Sequence, residues 1–373
     1  MSDLVIVGGG IVGLACAYET ARAGMKVTLL EYGKLAMQAT NAAAGMLAPM
    51  IESHGPGPML DLGLRALHDM PETVDELQQQ CGFDIELRLH GILKVAFTEE
   101  QLAELRQRQA WLETYGHDVA LLDGAQCREA EPRVSDHVIG GIYSAGEGSV
   151  SNQMLALALE RGSEVLGVEI RQRTRAVGFA SSGGRVTAVR TPDGDVPCDA
   201  VVIAAGARSG QIASRLRAGG ESALPVRPIR GQMIALGGMS CPIRSVVWGP
   251  EGYLVPRANG LVFAGATVED VGFRRRTTKA GLRAMRSMAN RLVPQLRASQ
   301  EHFDWAGLRP RTPDGLPIIG PMPSWPNVVA ATGHFRNGIL LGPITGSLVA
   351  KGLAGDWSDT PAEFSPARFA ASA

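Results

Sequence analysis

Four consecutive apolar residues, Leu4 to Val7, run into Gly8-Gly9-Gly10. A helical pattern of apolar positions follows from Ile11 to Ala23 and stops at Gly24. A second apolar run, Val27 to Leu30, closes on Glu31. Strand, turn, helix and strand in that order open a parallel βαβ sheet. Helical patterns recur over Leu60–Gln80, from Thr98 to about Tyr115, over Gln153–Arg161, over Lys279–Arg291 and from Gly338 onward. Short strand patterns fall at Gly91–Phe97, Val119–Leu122 and Val168–Ile170. Arg175–Ala180 and Arg185–Thr191 flank the turn Ser181-Ser182-Gly183-Gly184 and read as a hairpin. Ala200–Ala205 and Val328–Ala331 are fully apolar, as buried parallel strands are. Arg227–Leu236, Ser245–Val247, Gly252–Val255 and Leu261–Ala264 read as an antiparallel sheet. Parallel signals occur at both ends and in the middle, with antiparallel signals between them. The pattern therefore predicts an α/β chain (α+β overall) of two interleaved domains. A Rossmann-like domain takes residues 1–85, 141–225 and 305–373, and a smaller, mainly antiparallel domain takes 86–140 and 226–304.

The chain has 373 residues, enough for two domains that need no disulfide or metal staple. Hydrophobic residues make up 45% and charged residues 20%, which excludes disorder as the main state. A net charge of −1 gives no electrostatic case for nucleic acid or an anionic membrane. The bias toward arginine over lysine is read first as codon composition. Cys16, Cys81, Cys127, Cys198 and Cys241 are widely spaced and form no CxxC. They fit reduced, buried thiols in the cytoplasm and argue against zinc. MSDLVIVGGG has no basic segment and no small-residue cleavage site, so no secretion signal is expected. The uncharged stretch Gly338–Ala350 is too short to span a bilayer.

Gly8-Gly9-Gly10-Ile11-Val12-Gly13 matches G-x-G-x-x-G between a strand and a helix, the context that motif requires. Gly8 permits the tight turn, Gly10 the approach of a pyrophosphate, and Gly13 close packing of helix on strand; the helix N-terminus faces the phosphates. Glu31 stands at a strand end and suits a ribose hydroxyl pair. FAD and NAD share this fingerprint. No second copy of it occurs, so one dinucleotide does the chemistry, which suits a flavin. The stretch Thr332 to Leu341 is punctuated by glycine and opens the last helix. It reads equally as a helix N-terminus facing a flavin ring and as an ordinary cap with an Asn337-Gly338 turn.

At these residues the chain resembles the D-amino-acid oxidase superfamily of flavoproteins, and most closely the glycine oxidases of bacterial thiamin biosynthesis. The matching segments are VIVGGGIVG at Val5–Gly13, NAAAGMLAPM at Asn41–Met50, GYLVPR at Gly252–Arg257, GATVEDVGF at Gly265–Phe273, WAGLRPRTPDGLPIIG at Trp305–Gly320 and GHFRNGILLGP at Gly333–Pro343. The resemblance implies FAD, held without a covalent bond, because the cysteine that anchors flavin in related sarcosine oxidases has no counterpart after Cys241. It implies contacts to FAD from Gly8, Gly10, Ile11, Val12, Gly13, Glu31, Thr40, Asn41, Ala44, Gly45, Met46, Ala176, Ala205, Gly206, Arg309, His334, Arg336, Asn337, Gly338, Ile339 and Leu340. It also implies oxidation of glycine, sarcosine or D-alanine by O₂, giving an imine that hydrolyses to an oxo acid such as glyoxylate with ammonia and H₂O₂, or passes to thiazole synthase. A homo-oligomer is the expected assembly. Two positions depart from the family: Asn41 stands where serine is common, and Arg208 stands where tryptophan is common. The first touches a phosphate contact, and the second is expected to change local packing only.

Arg309 follows Trp305-Ala306-Gly307-Leu308. A guanidinium fork matches a carboxylate bidentately, although an arginine also pairs commonly with structural acids. The resemblance gives this position to the substrate carboxylate. Tyr253 is either a second donor to that carboxylate or a core tyrosine. Arg336 either polarises the ligand or pairs structurally, and His334 is read as a hydrogen-bonded structural histidine. Met46 and Val268 are expected to complete the pocket wall and limit it to small side chains. No carboxylate pair or His–Asp pair stands out near these motifs. That agrees with hydride transfer from Cα to flavin N5, in which no protein base removes a carbon-bound proton. Two alternatives remain: a D-amino-acid dehydrogenase or oxidase of broader specificity, and a non-catalytic flavoprotein.

Overall fold

The computed structural model describes residues 3–216, 224–238 and 243–370, so Cys241 lies outside the described residues. A six-stranded sheet has the order Ile318–Met322, Trp325–Thr332, Ala200–Ile203, Asp3–Val7, Lys26–Leu30, Glu169–Arg171. All its pairings are parallel except the first, which is an antiparallel hairpin. An eight-stranded sheet has the order Gln300–Arg311, Arg227–Gly237, Val262–Gly265, Gly252–Pro256, Val246–Gly249, Ile92–Ala96, Gly140–Ser144, Ala120–Asp123. Only Val246–Gly249 with Ile92–Ala96 pairs in parallel there. The expected parallel and antiparallel sheets are therefore both present. The expected boundaries at 140/141 and 304/305 cut through Gly140–Ser144 and Gln300–Arg311, two strands of the eight-stranded sheet. Apolarity alone does not say which sheet a strand joins.

Residues Arg175–Val177 were expected to open a hairpin, but the strand begins at Gly178 and pairs back through Arg185–Thr191. Arg175 and Ala176 instead line a cavity. The helix Ile11–Arg22 crosses the last helix, Gly338–Leu353, closely. A Cβ on Gly346 would stand 2.5 Å from the carbonyl oxygen of Ala15, so glycine permits that approach. The crossing brings both helix N-termini to one place, beyond the carboxyl ends of the parallel strands. This is where open α/β sheets bind ligands. No helix among the described residues is long and apolar enough to cross a membrane.

Candidate active site

A cavity of about 570 Å³ runs between the two sheets. Its wall includes Glu31, Tyr32, Ala176 and Arg208, the glycine-turn and helix-start residues Gly8, Gly10, Ile11 and Val12 with Thr40, and Met46, Glu52, Tyr253, Arg309 and Arg336. Gly8 has φ +116°, and an added Cβ would meet the Ala204 carbonyl oxygen at 2.5 Å. A Cβ on Gly13 would stand 1.8 Å from the Gly8 carbonyl oxygen, so Gly13 serves the packing of helix on strand and is not in the cavity wall. Gly10 does face the cavity, where backbone approach by a phosphate needs it. Glu31 accepts from the Gly9 N–H and the Gly33 N–H, each at 2.8 Å, and burial raises its pKa against those two donors. The Thr40 hydroxyl accepts from the Ile11 N–H at 2.9 Å and so ties the first helical turn to the Ala39–Ala42 segment.

Several expected contacts fall elsewhere. The Asn41 side chain accepts from Gln153 Nε2 at 2.8 Å and is not in the wall, although Thr40 and Ala42 on either side of it are. Val268 is 47% exposed and also outside the wall; it belongs to a loop between Val262–Gly265 and Lys279–Leu292, where no strand alternation turns it inward. Asn337 caps the last helix and Leu340 is buried in the core, so neither reaches the cavity, while Gly338 and Ile339 do. Ala44, Gly45, Met46, Ala205, Gly206, His334 and Arg336 are all in the wall. His334 is buried against Thr345 Oγ1 at 3.0 Å, and burial pushes its pKa down to about 4, so it is neutral at neutral pH.

Arg208 does more than change local packing. Its guanidinium carbon lies 4.8 Å from the Phe273 ring centre and 5.5 Å from that of Tyr32. Phe273 sits on the loop after Val262–Gly265, and the neighbouring Arg275 donates to Gln38 Oε1 at 2.5 Å. That loop is thus tied at two points across the cavity to elements of the parallel sheet. Arg309, also in the wall, donates from Nη1 to the Thr267 carbonyl oxygen at 3.0 Å. Glu52 and Arg336 form an ion pair, and the Glu52 carboxyl is raised by burial and lowered by Arg336, Arg309 and Lys94. Lys94, behind this wall, is pushed down to about 8 chiefly by burial.

Sequence reasoning missed Glu52, whose one signal is that it is the first charge after Lys34, at the end of a long uncharged stretch. It also missed the stack on Arg208, which forms between segments distant in the chain.

The DAO model of FAD-dependent oxidoreductases matches residues 3–351, nearly the whole chain. The chain belongs to this family. Its cofactor is FAD, and the residues present fit that group: a glycine turn that a Cβ would fill, a helix N-terminus, a ribose-side carboxylate and an elongated cavity. When bound, FAD supplies the acceptor for the substrate's electrons. This FAD-dependent oxidoreductase is 34% identical over 351 residues to the glycine oxidase of Geobacillus kaustophilus, covering 93% of the chain and 92% of that protein. The crystal structure of glycine oxidase from the same species superposes with a TM-score of 0.94 at 32% identity, covering 99% of each chain. It is also 37% identical to the bifunctional protein ThiO/ThiG of Synechocystis, over 99% of the chain but 54% of that protein. The chain thus spans about half the length of that relative.

Proposed function

We propose that this flavoenzyme oxidises glycine and small amines such as sarcosine and D-alanine. The imine product hydrolyses to an oxo acid and ammonia, and O₂ takes the electrons to give H₂O₂. One observation carries the reading: Arg336 and Glu52 form an ion pair, Arg309 is close enough to act on the same carboxyl, and all three line the cavity that Glu31 lines. In this reading Arg309 binds the substrate carboxylate as a fork, with Tyr253 as a second donor. Glu52 faces the amine and offsets the two guanidinium charges. Met46, unbranched and flexible, closes the pocket. Gly8, Gly10, Val12 and Glu31 hold the dinucleotide without a covalent bond. No buried carboxylate or neutral imidazole is assigned to proton removal from carbon; the chain binds and orients the substrate. The likeness to a ThiO/ThiG protein supports delivery of the imine to thiazole formation by a thiazole synthase. In the same reading the enzyme works in the cytoplasm as a homo-oligomer.

The test is anaerobic bleaching of the purified holoenzyme by glycine, sarcosine, D-alanine, D-proline and D-phenylalanine, followed by oxygen consumption. Glycine and sarcosine are expected to bleach fastest. Preference for D-phenylalanine, or bleaching without oxygen uptake, overturns the reading.

A further inference from the structure

Arg309 lies directly opposite Ile229 in the pairing of Gln300–Arg311 with Arg227–Gly237. Gly231 is two residues along the same strand and therefore on the same face, the diagonal neighbour. A Cβ built on Gly231 would fall 2.3 Å, 2.4 Å and 2.5 Å from Nη1, Nη2 and Cζ of Arg309. The guanidinium therefore lies flat on the backbone of Gly231, with one edge on the Thr267 carbonyl.

Thr267 is itself held on every side. Its hydroxyl accepts from the Gln232 N–H at 2.9 Å and donates to Glu269 Oε1 at 2.5 Å. Gln232 Nε2 donates to the same oxygen at 2.7 Å, and Arg230 Nη2 donates to Glu269 Oε2 at 2.5 Å. Arg230 and Glu269 also exchange backbone hydrogen bonds. Burial raises the Glu269 carboxyl, but these donors and the Arg230 charge together outweigh it and hold the group down to about 2, so it stays ionised.

We propose that Gly231, with the Thr267 carbonyl and the Arg230–Gln232–Glu269 network behind it, is a positioning device that fixes the plane of the Arg309 guanidinium and so sets the enzyme's affinity for the substrate carboxylate. Arg309 Nη1 is engaged by the Thr267 carbonyl, and the guanidinium lines the cavity. A fork held flat loses little freedom when it binds a carboxylate. This rests on the reading of Arg309 as the carboxylate clamp.

Gly231 makes a clean test, because its backbone is not in the left-handed region and the three atoms nearest an added methyl all belong to the movable end of Arg309. The Gly231→Ala protein is expected to fold and to keep its FAD and melting temperature. The probe is acetate, titrated into the holoenzyme and read from the flavin absorbance band. Gly231→Ala is expected to weaken acetate roughly 10- to 100-fold, the range for losing a charge-assisted hydrogen bond. The KM for glycine rises by a similar factor, while the flavin reduction rate at saturating glycine stays within about threefold. In an Arg309→Ala background the same substitution changes acetate affinity no further, as coupled residues require. Glu269→Gln, which keeps the shape and removes the charge facing Arg230, gives a smaller loss in the same direction. Unchanged acetate affinity in Arg309→Ala refutes the clamp. A weakened Arg309→Ala with an unaffected Gly231→Ala, or additive losses in the double variant, refutes the positioning role alone.

Discussion

Glu52 Oε1 accepts from Arg336 Nη1 at 3.3 Å, in the wall that also carries Arg309. A carboxylate there attracts a substrate ammonium and repels a lone carboxylate. Glu52→Gln is therefore expected to act in opposite senses on two ligands. Acetate should bind tighter and glycine weaker, each by roughly 5- to 10-fold, from about 1 kcal/mol of charge interaction in a partly solvated site. Titration of flavin absorbance measures both, and a shift of the two in the same direction would rule out the amine-facing role.

Arg309→Ala removes a bidentate, charge-assisted pair. At roughly 1.5–3 kcal/mol for one such bond, kcat/KM for glycine should fall on the order of 10²-fold or more. Arg309→Lys should recover only part of it, because one ammonium cannot reproduce the fork. Steady-state oxygen uptake decides this, and near-native kinetics in the alanine variant would remove Arg309 from the substrate site.

The stack of Arg208 between Tyr32 and Phe273 predicts a cofactor phenotype. Each cation–π contact is worth about 0.5–1 kcal/mol at an exposed site, so Arg208→Ala should release FAD roughly 5- to 30-fold faster. Arg208→Trp, the residue common in the family, should restore retention by ring stacking. Recovery of free-flavin fluorescence after dilution measures the rate; equal release by native protein and Arg208→Ala would show that the stack does not close the cavity.

Burial pushes the Glu147 carboxyl up to about 8, against the N–H donors of Met50 and Ile51 that bind its charged form. A carboxyl raised in the folded state binds its proton more tightly there than in the unfolded chain. Its contribution is complete below the ordinary carboxyl value of 4.5 and is lost as pH rises toward about 8. Glu147→Gln removes that titration, so its melting temperature should decline less from about pH 5 to 8 than the native protein's. The gap should reach at least roughly 4 °C, since a pKa unit is about 1.4 kcal/mol, roughly three units are crossed between pH 5 and 8, and each kcal/mol moves a chain of this length about 1–2 °C. Parallel melting curves for the two proteins would exclude Glu147 as the titrating group.

Much of the cofactor cradle is legible along the chain because its physics is local. Gly8, Gly10, Gly13 and Glu31 act through a strand, a turn and a helix only tens of residues long, and each leaves a mark in residue type and spacing. The hydrophobic periods likewise separate parallel from antiparallel strands, since burial on both faces or on one face is written in the alternation itself. The substrate end is different. Val268 was expected in the wall as a short, stiff residue of a matching segment, yet what that segment offers is the Thr267 backbone carbonyl that holds Arg309, and a carbonyl has no side-chain signature. Glu52, Gly231 and Arg309 are separated by more than 70 residues at each step, and only the pairing of Arg227–Gly237 with Gln300–Arg311 puts glycine under guanidinium. Arg208 carries no hint in sequence of the rings on either side of it. Composition, period and motif thus determined the fold class and where a dinucleotide lies. Which charges meet across the cavity, and which backbone they rest on, was decided by strand register and sheet packing, because those contacts depend on distances that chain order does not encode.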